Sequence, residues 1–116
     1  PFNRSAALHS GMDFRATHGA PVRTTAGGRV TAAEYSGGYG NMVEVEHESG
    51  VTTRYGHLSA ISVVPGQRLE LGQVVGRAGS TGRSTGTHLH YETRIDGEAV
   101  NPVRFLEAGR LVAAVR

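Results

Sequence analysis

The sequence has no cysteine, no lysine and no long hydrophobic run. The absence of cysteine from its 116 residues excludes disulfides, thiolate zinc sites and cysteine nucleophiles. Histidine, aspartate and glutamate therefore remain as the side chains that could bind a metal or transfer a proton. No apolar segment approaches the ~20 residues of a membrane-spanning helix, and no signal-peptide pattern precedes Pro1. We expect any export signal to lie outside this sequence.

Charge and composition exclude further classes of protein. All twelve basic residues are arginines, they are dispersed along the chain, and the formal net charge is only +2. Because no basic stripe alternates with aromatic residues, we do not expect a nucleic-acid partner. Seventeen glycines beside four prolines favour many turns and short strands over helices. The length predicts a single domain over residues 1–116.

The most informative segment is His88-Leu89-His90. Residues 79–87 are rich in glycine, serine and threonine and predict a loop, after which a strand begins at His88. Side chains two apart in a strand share a face, so His88 and His90 should project together while Leu89 faces the other way. The pair could be two metal ligands, one ligand with one acid/base group, or a polar surface without function.

Alternation and turn residues predict the other elements. On the strand at 42–48, Val43, Val45 and His47 share one face, which favours a core histidine with satisfied hydrogen bonds over a ligand. His18 lies in a predicted turn and is expected at the surface. Two similar valine-containing blocks suggest a hairpin or bulged ribbon, and Asn101-Pro102 begins a capped helical turn. The predicted strands are 21–25, 28–35, 42–48 and 51–55, the two blocks are 63–67 and 71–76, and the helical turn is 101–106.

Three further residues are candidates for chemistry. In His9-Ser10-Gly11-Met12-Asp13 the glycine disfavours a helix, so we expect an extended or turning segment that brings His9 and Asp13 to one point. Read singly, His9 could be a solvated loop residue and Asp13 a turn cap or salt-bridge partner. His57 follows the predicted end of a strand at Tyr55, where a rigid scaffold and open access favour functional side chains.

These groups together match the requirements of zinc catalysis. A catalytic zinc needs three nitrogen or oxygen ligands and an open position, and it lowers the pKa of its water from ~16 to about 7. Two imidazoles and one carboxylate would supply the ligands, and two further imidazoles could move a proton and stabilise an oxyanion. No glutamate stands in an HExxH setting, so histidine must do the acid/base work. The five candidates are His9, Asp13, His57, His88 and His90.

The motifs resemble one known family. His9-Ser10-Gly11-Met12-Asp13 matches the HxxxD motif, and His88-Leu89-His90 the HxH motif, of the lysostaphin-like (LytM-type) zinc metallopeptidases. The resemblance implies an antiparallel β-sheet domain, with core residues at about 9–106 and a zinc groove on one sheet face. Other segments that resemble the family, in the same order, are Gly40-Asn41-Met42-Val43, Tyr55-Gly56-His57-Leu58-Ser59, Gly79-Ser80-Thr81-Gly82, Gly86-Thr87-His88-Leu89-His90 and Asn101-Pro102.

The resemblance also implies roles for the five residues. His9, Asp13 and His90 become the zinc ligands, a choice between His88 and His90 that spacing alone leaves open. His57 and His88 become the pair that orients the water and stabilises the transition state. The implied activity is a zinc-dependent endopeptidase acting on stem peptides or cross-bridges of bacterial cell-wall peptidoglycan. The implied location is periplasmic or extracellular, and further domains are expected to flank the chain.

Two questions remain open at this point. Members of the family cut either glycine bridges or the D-Ala–diaminopimelate cross-link, and the short loops favour the second bond. The chief alternative to an enzyme is a non-catalytic peptidoglycan-binding or regulatory module that activates other wall hydrolases. Members of that kind have lost zinc ligands, whereas all five residues are present here. A purely structural zinc site is disfavoured by the two spare imidazoles.

Overall fold

Antiparallel pairing organises residues 12–82 and 86–100, the part of the chain that the computed structural model describes. This arrangement confirms the predicted antiparallel β fold, whereas His9 and the predicted helical turn at 101–106 lie outside these residues. Two short 3-10 turns, Gly37–Tyr39 and Glu48–Gly50, precede and follow the strand at Asn41–Glu46. The strands are β1 (Met12–Arg15), β2 (Pro21–Arg23), β3 (Gly28–Tyr35), β4 (Asn41–Glu46), β5 (Val51–Ile61), β6 (Arg68–Leu69), β7 (Val74–Ala78), β8 (His88–Ile95) and β9 (Glu98–Val100).

The central strand is β5, which is longer than predicted. Instead of ending at Tyr55 it continues to Ile61, pairing with β4 along one edge and with β8 and then β7 along the other. The change of neighbour occurs around His57, whose φ of 62° is rare for a residue with a Cβ. The strand therefore kinks rather than ends at this point, and His57 lies within β5 rather than in a loop.

The core lies on the face of the sheet opposite to the histidines of β8. Val43 and Val45 of β4 are fully buried, as their alternation predicted. Leu89 and Tyr91 of β8 are also fully buried, and Tyr91 is directly opposite Tyr55 of β5. Burying an aliphatic side chain such as Leu89 stabilises the fold by about 1.5–3 kcal/mol. Burial of Leu89 therefore determines which face of β8 packs on the core, and the histidines are left on the other face.

A hydrogen-bonded cluster of hydroxyl groups lies within this core. The Tyr55 hydroxyl accepts from the Thr25 amide at 3.1 Å and lies 2.8 Å from Thr53 Oγ1, and Tyr91 Oη lies 3.1 Å from Thr25 Oγ1. His47 extends the cluster, since its Nδ1 donates to the Gly27 carbonyl and its Nε2 lies 2.8 Å from Thr53 Oγ1. His47 thus has the satisfied hydrogen bonds that were predicted, but it is half-buried at the edge of the core and lies just beyond the end of β4.

The prediction of a hairpin from the blocks at 63–67 and 71–76 is wrong. Strand β6 lies between the two blocks and pairs with β3, whereas β7 pairs with β2 and β5. Gly66 and Gly72 both adopt positive φ, so each block contains a turn that redirects the chain to a more distant strand. His18 is exposed in a turn, as predicted. Among the described residues, no helix has the length and apolar character needed to cross a membrane.

Candidate active site

Three neighbouring strands bring four of the five predicted site residues together. Asp13 of β1 is directly opposite His90 of β8, and His90 is opposite Gly56 of β5 on the other side. Directly opposed residues of antiparallel strands project from the same face, so Asp13 and His90 must meet. His88 shares that face by its spacing from His90, and the kink in β5 turns His57 toward it. The fifth predicted residue, His9, lies outside the described residues.

The four side chains lie close together. Asp13 Oδ1 lies 2.8 Å from His90 Nδ1 and 3.6 Å from His88 Nε2. The ring centroid of His57 lies 5.0 Å from that of His88 and 5.9 Å from that of His90. One potential ligand atom from each of Asp13, His57 and His88 also lies within 4.8 Å of the other two. The arrangement therefore surrounds one carboxylate with three imidazoles.

Hydrogen bonds that join Thr81 to His57, Leu58 and Asn41 hold His57 in place, and we call this set of bonds the clamp. Its Nδ1 donates to the Thr81 carbonyl at 2.7 Å, and the Thr81 hydroxyl donates to the Leu58 carbonyl at 2.6 Å. The Asn41 amide donates to Thr81 Oγ1 at 3.1 Å, and its side-chain nitrogen donates to the Leu58 carbonyl at 2.9 Å. Gly40 lies so close to Thr81 that a Cβ there would collide with its backbone. The clamp therefore fixes the orientation of the His57 ring.

This environment also sets the charge of His57. The residue is only 7% exposed, and burial lowers the pKa of its imidazole, while the bond to the Thr81 carbonyl partly opposes that shift. A neutral imidazole that donates through Nδ1 has its lone pair on Nε2. His57 therefore has an unprotonated nitrogen available to accept a proton near neutral pH.

His90 has the opposite electrostatic character. Burial lowers the pKa of its imidazole, but hydrogen bonds to the carboxylates of Asp13 and Glu92 outweigh burial and raise the pKa to about 9. The hydrogen bond from His90 in turn lowers the pKa of Asp13 against the smaller opposing effect of its partial burial. The site thus contains an ionised carboxylate next to an imidazole that holds its proton tightly.

The donor set fits a zinc ion. Imidazole nitrogen and carboxylate oxygen are zinc ligands, and a catalytic site needs access for water and substrate. The side chains of Asp13, His88 and His90 are 40%, 21% and 17% exposed, so the cluster opens to solvent. His90 also contacts a second carboxylate, because its Nε2 donates to Glu92 Oε2 at 3.0 Å. Histidines that ligate zinc commonly make such a bond with their second nitrogen.

Sequence reasoning missed the residues that support the histidines. Glu92 had a usable signal, because it lies two residues after His90 on the same strand and must share its face. Tyr39, whose hydroxyl donates to Glu92 at 2.8 Å, had none, and Thr81 had only its place in a segment that resembles the family. Both lie in loops that reach the site only through long-range pairing, which local alternation does not describe.

Comparison with known sequences identifies similar proteins. The sequence pattern of Peptidase family M23 matches residues 7–102. The chain is 52% identical over 103 residues to "DD-carboxypeptidase/endopeptidase Mpg" of Neisseria meningitidis serogroup B, covering 89% of this chain and 24% of that protein. It is 41% identical over 104 residues to "Peptidoglycan DD-endopeptidase ShyA" of Vibrio cholerae, covering 90% and 24%. The chain therefore spans about a quarter of the length of these curated relatives.

Solved structures show the same fold. The catalytic domain of lysostaphin from Staphylococcus simulans superimposes with a TM-score of 0.82 at 33% identity, covering 92% of this chain and 85% of that one. A zinc-containing peptidase from Vibrio cholerae superimposes with a TM-score of 0.77 at 42% identity, covering 80% of this chain and 29% of that one. The likeness extends over most of the chain rather than over one motif.

Proposed function

Because the chain belongs to peptidase family M23, we propose that it is a zinc-dependent endopeptidase that hydrolyses peptide cross-links in bacterial peptidoglycan. The observation that carries this proposal is the meeting of Asp13, His57, His88 and His90 on one face of the sheet. Two of the similar proteins have names that describe D,D-endopeptidases of this kind. Our proposal extends to the whole of residues 1–116 as one domain.

His9, Asp13 and His90 are the proposed zinc ligands. A zinc ion held there would polarise the scissile carbonyl and increase the acidity of a water molecule. Asp13 contributes a carboxylate that stays ionised at neutral pH, because its hydrogen bond to His90 lowers its pKa. His90 contributes Nδ1, the ring nitrogen directed at Asp13. Two neutral imidazoles and one carboxylate would leave a single net positive charge on the site.

The two remaining histidines act on the proton and on the developing charge. The neutral His57 ring carries its proton on Nδ1, which donates to Thr81, so Nε2 is unprotonated. Nε2 can therefore accept the proton of the attacking water. Its lowered pKa favours transfer of that proton onward to the leaving amine. His88 lies beside His57 and is partly exposed, so that it can hydrogen-bond the oxyanion.

The bond that we propose is D-Ala–diaminopimelate. The curated relatives named above are described as DD-endopeptidases, and their sequences match this chain over about nine-tenths of its length. The turn Gly37–Tyr39 beside the site spans only three residues, and a turn this short would leave room for a branched, cross-linked strand. Since this substrate lies outside the cytoplasm, we propose that the protein acts at the cell wall, in the periplasm or outside the cell.

The direct test combines metal analysis with digestion of peptidoglycan. We expect one zinc per chain, and incubation with purified peptidoglycan should convert cross-linked dimers to monomers with a new free amine on diaminopimelate. A chelator-treated sample is the control and should leave the dimers intact. Zinc binding without any cleavage would instead favour a regulatory module, and a chain that binds no zinc at neutral pH would refute the enzyme proposal.

A further inference from the structure

Glu92 is a buried carboxylate on the face of β8 that carries the site. It is only 2% exposed, and both of its oxygens are hydrogen-bonded. Oε2 accepts from Tyr39 Oη at 2.8 Å and from His90 Nε2 at 3.0 Å, and Oε1 accepts from Arg94 Nε at 3.1 Å. A buried carboxylate is costly unless donors surround it, so this arrangement must hold Glu92 in one position.

The donors to Glu92 are themselves fixed. Arg54 Nη1 donates to Tyr39 Oη at 3.0 Å, and the guanidinium carbon lies 5.6 Å from the centroid of the Tyr39 ring. Arg54 Nε is bound in turn by Glu44 Oε2 at 2.7 Å. The Tyr39 ring also lies against His90, with ring centroids 5.9 Å apart. Glu92 and Tyr39 therefore contact the His90 imidazole directly, and Arg54 and Glu44 hold Tyr39 in place.

These contacts determine which nitrogen of His90 can bind a metal. A neutral imidazole carries one N–H, and the carboxylate of Glu92 stabilises that proton on Nε2. Nδ1, which lies 2.8 Å from Asp13 Oδ1, then offers its lone pair to a metal that displaces the proton shared with Asp13. Rotation of the ring is also restricted, because turning it would break the bond to Glu92 and the packing against Tyr39.

We infer that Glu92 is a positioning residue, which holds His90 with Nε2 protonated and thereby presents Nδ1 to the metal together with Asp13. This inference rests on the proposed zinc site and adds to it a residue that contacts neither the metal nor the substrate. Outer carboxylates of this kind typically change metal affinity by about 10–100-fold when they are substituted. Glu92 should therefore matter first for zinc affinity and only through it for activity.

The test is a zinc titration of the metal-free 116-residue chain against a chromophoric chelator. We expect Glu92→Gln to weaken zinc binding by about 10–100-fold, because the amide keeps the shape of the carboxylate but removes its charge. Tyr39→Phe, which removes one donor to Glu92, should shift the affinity in the same direction by less. Glu46→Gln removes a carboxylate from an exposed position on β4 and is the matched control, with no change expected.

A measurement on the unsubstituted chain guards against a variant that fails to fold. In the zinc-loaded protein, the imidazole ¹⁵N shifts of His90 should show a protonated Nε2 and a metal-bound Nδ1. Metal bound through Nε2 would overturn the inference, as would a folded Glu92→Gln chain with unchanged zinc affinity. Either result leaves the proposed endopeptidase standing if wild-type chain binds zinc and cleaves peptidoglycan. A wild-type chain that binds no zinc would overturn both.

Discussion

The two faces of β8 place very different chemistry on one strand. His88, His90 and Glu92 face the site, where ionised groups surround a cluster that is open to solvent. Leu89 and Tyr91 face the core, where neutral hydroxyl groups bond one another away from water. The difference shows how one strand can supply function on one side while the fold depends on the other.

Two histidines make the same contrast at the level of single residues. Both ring nitrogens of His47 are bonded to neutral oxygens, those of Gly27 and Thr53, and these bonds complete its hydrogen bonding. His90 is bonded to two carboxylates, which favour a cation at the ring and are themselves typical partners of metal-bound imidazole. The chemical type of the partners, rather than burial alone, separates a structural histidine from a candidate ligand.

Among the substitutions that test this contrast between the two histidines, we expect the largest effect at His90. If it is a zinc ligand, His90→Ala should lose the metal at neutral pH and all measurable cleavage of peptidoglycan. Metal content by elemental analysis and digestion of purified peptidoglycan test this expectation. His18→Ala, in an exposed turn, is the control and should retain both. Full zinc content in His90→Ala would remove His90 from the ligand set.

His88 should behave differently although it lies on the same face two residues away. We expect His88→Ala to retain zinc and to lose about 10²–10³ in kcat, since that is the usual effect of removing one group that stabilises an oxyanion. Metal content and turnover of cross-linked muropeptides should be measured on the same sample. Equal metal content and equal activity in His88→Ala and His90→Ala would contradict the assigned roles of both residues.

The pKa of His90 predicts how zinc binding depends on pH. In the metal-free chain the pKa is about 9, so at pH 7 the imidazole is protonated and the metal must displace a proton. Zinc affinity should therefore rise about tenfold per pH unit from pH 7 to 9 and then level off. Calorimetry in buffers of different ionisation enthalpy would detect the released proton, and a pH-independent affinity in this range would contradict the prediction.

Substitutions on the core face of the sheet should change the free energy of unfolding without changing zinc affinity. Tyr55→Phe would leave the buried Thr25 amide without its acceptor, at an expected cost of about 1–3 kcal/mol in the free energy of unfolding. Zinc affinity should not change, because the hydroxyl contacts no group of the site. Chemical denaturation provides the measurement, and Tyr35→Phe at an exposed position is the control. A large loss of zinc affinity would show that the two faces are coupled.

The sequence by itself determined much of the local structure. Alternation placed Val43 and Val45 inside and put His88 and His90 on one face, because the strand period of two needs no knowledge of neighbouring strands. The motifs around His9, Asp13 and His90 indicated the family before any geometry was known. Local reasoning also favoured satisfied hydrogen bonds over metal binding for His47, and both of its ring nitrogens are bonded, although the residue is half-buried rather than in the core.

Only the tertiary structure decided how these pieces meet. Asp13 and His90 are 77 residues apart, and their contact depends on the register of β1 against β8. The kink at His57 arises where β5 changes neighbours from β8 to β7, which its own sequence does not reveal. The spacing of Glu92 from His90 places both on one face, but the bonds from Tyr39 and Arg94 that hold its carboxylate come only from the tertiary structure. Periodicity is a local property of a chain, whereas register and partners depend on hydrogen bonds between distant segments.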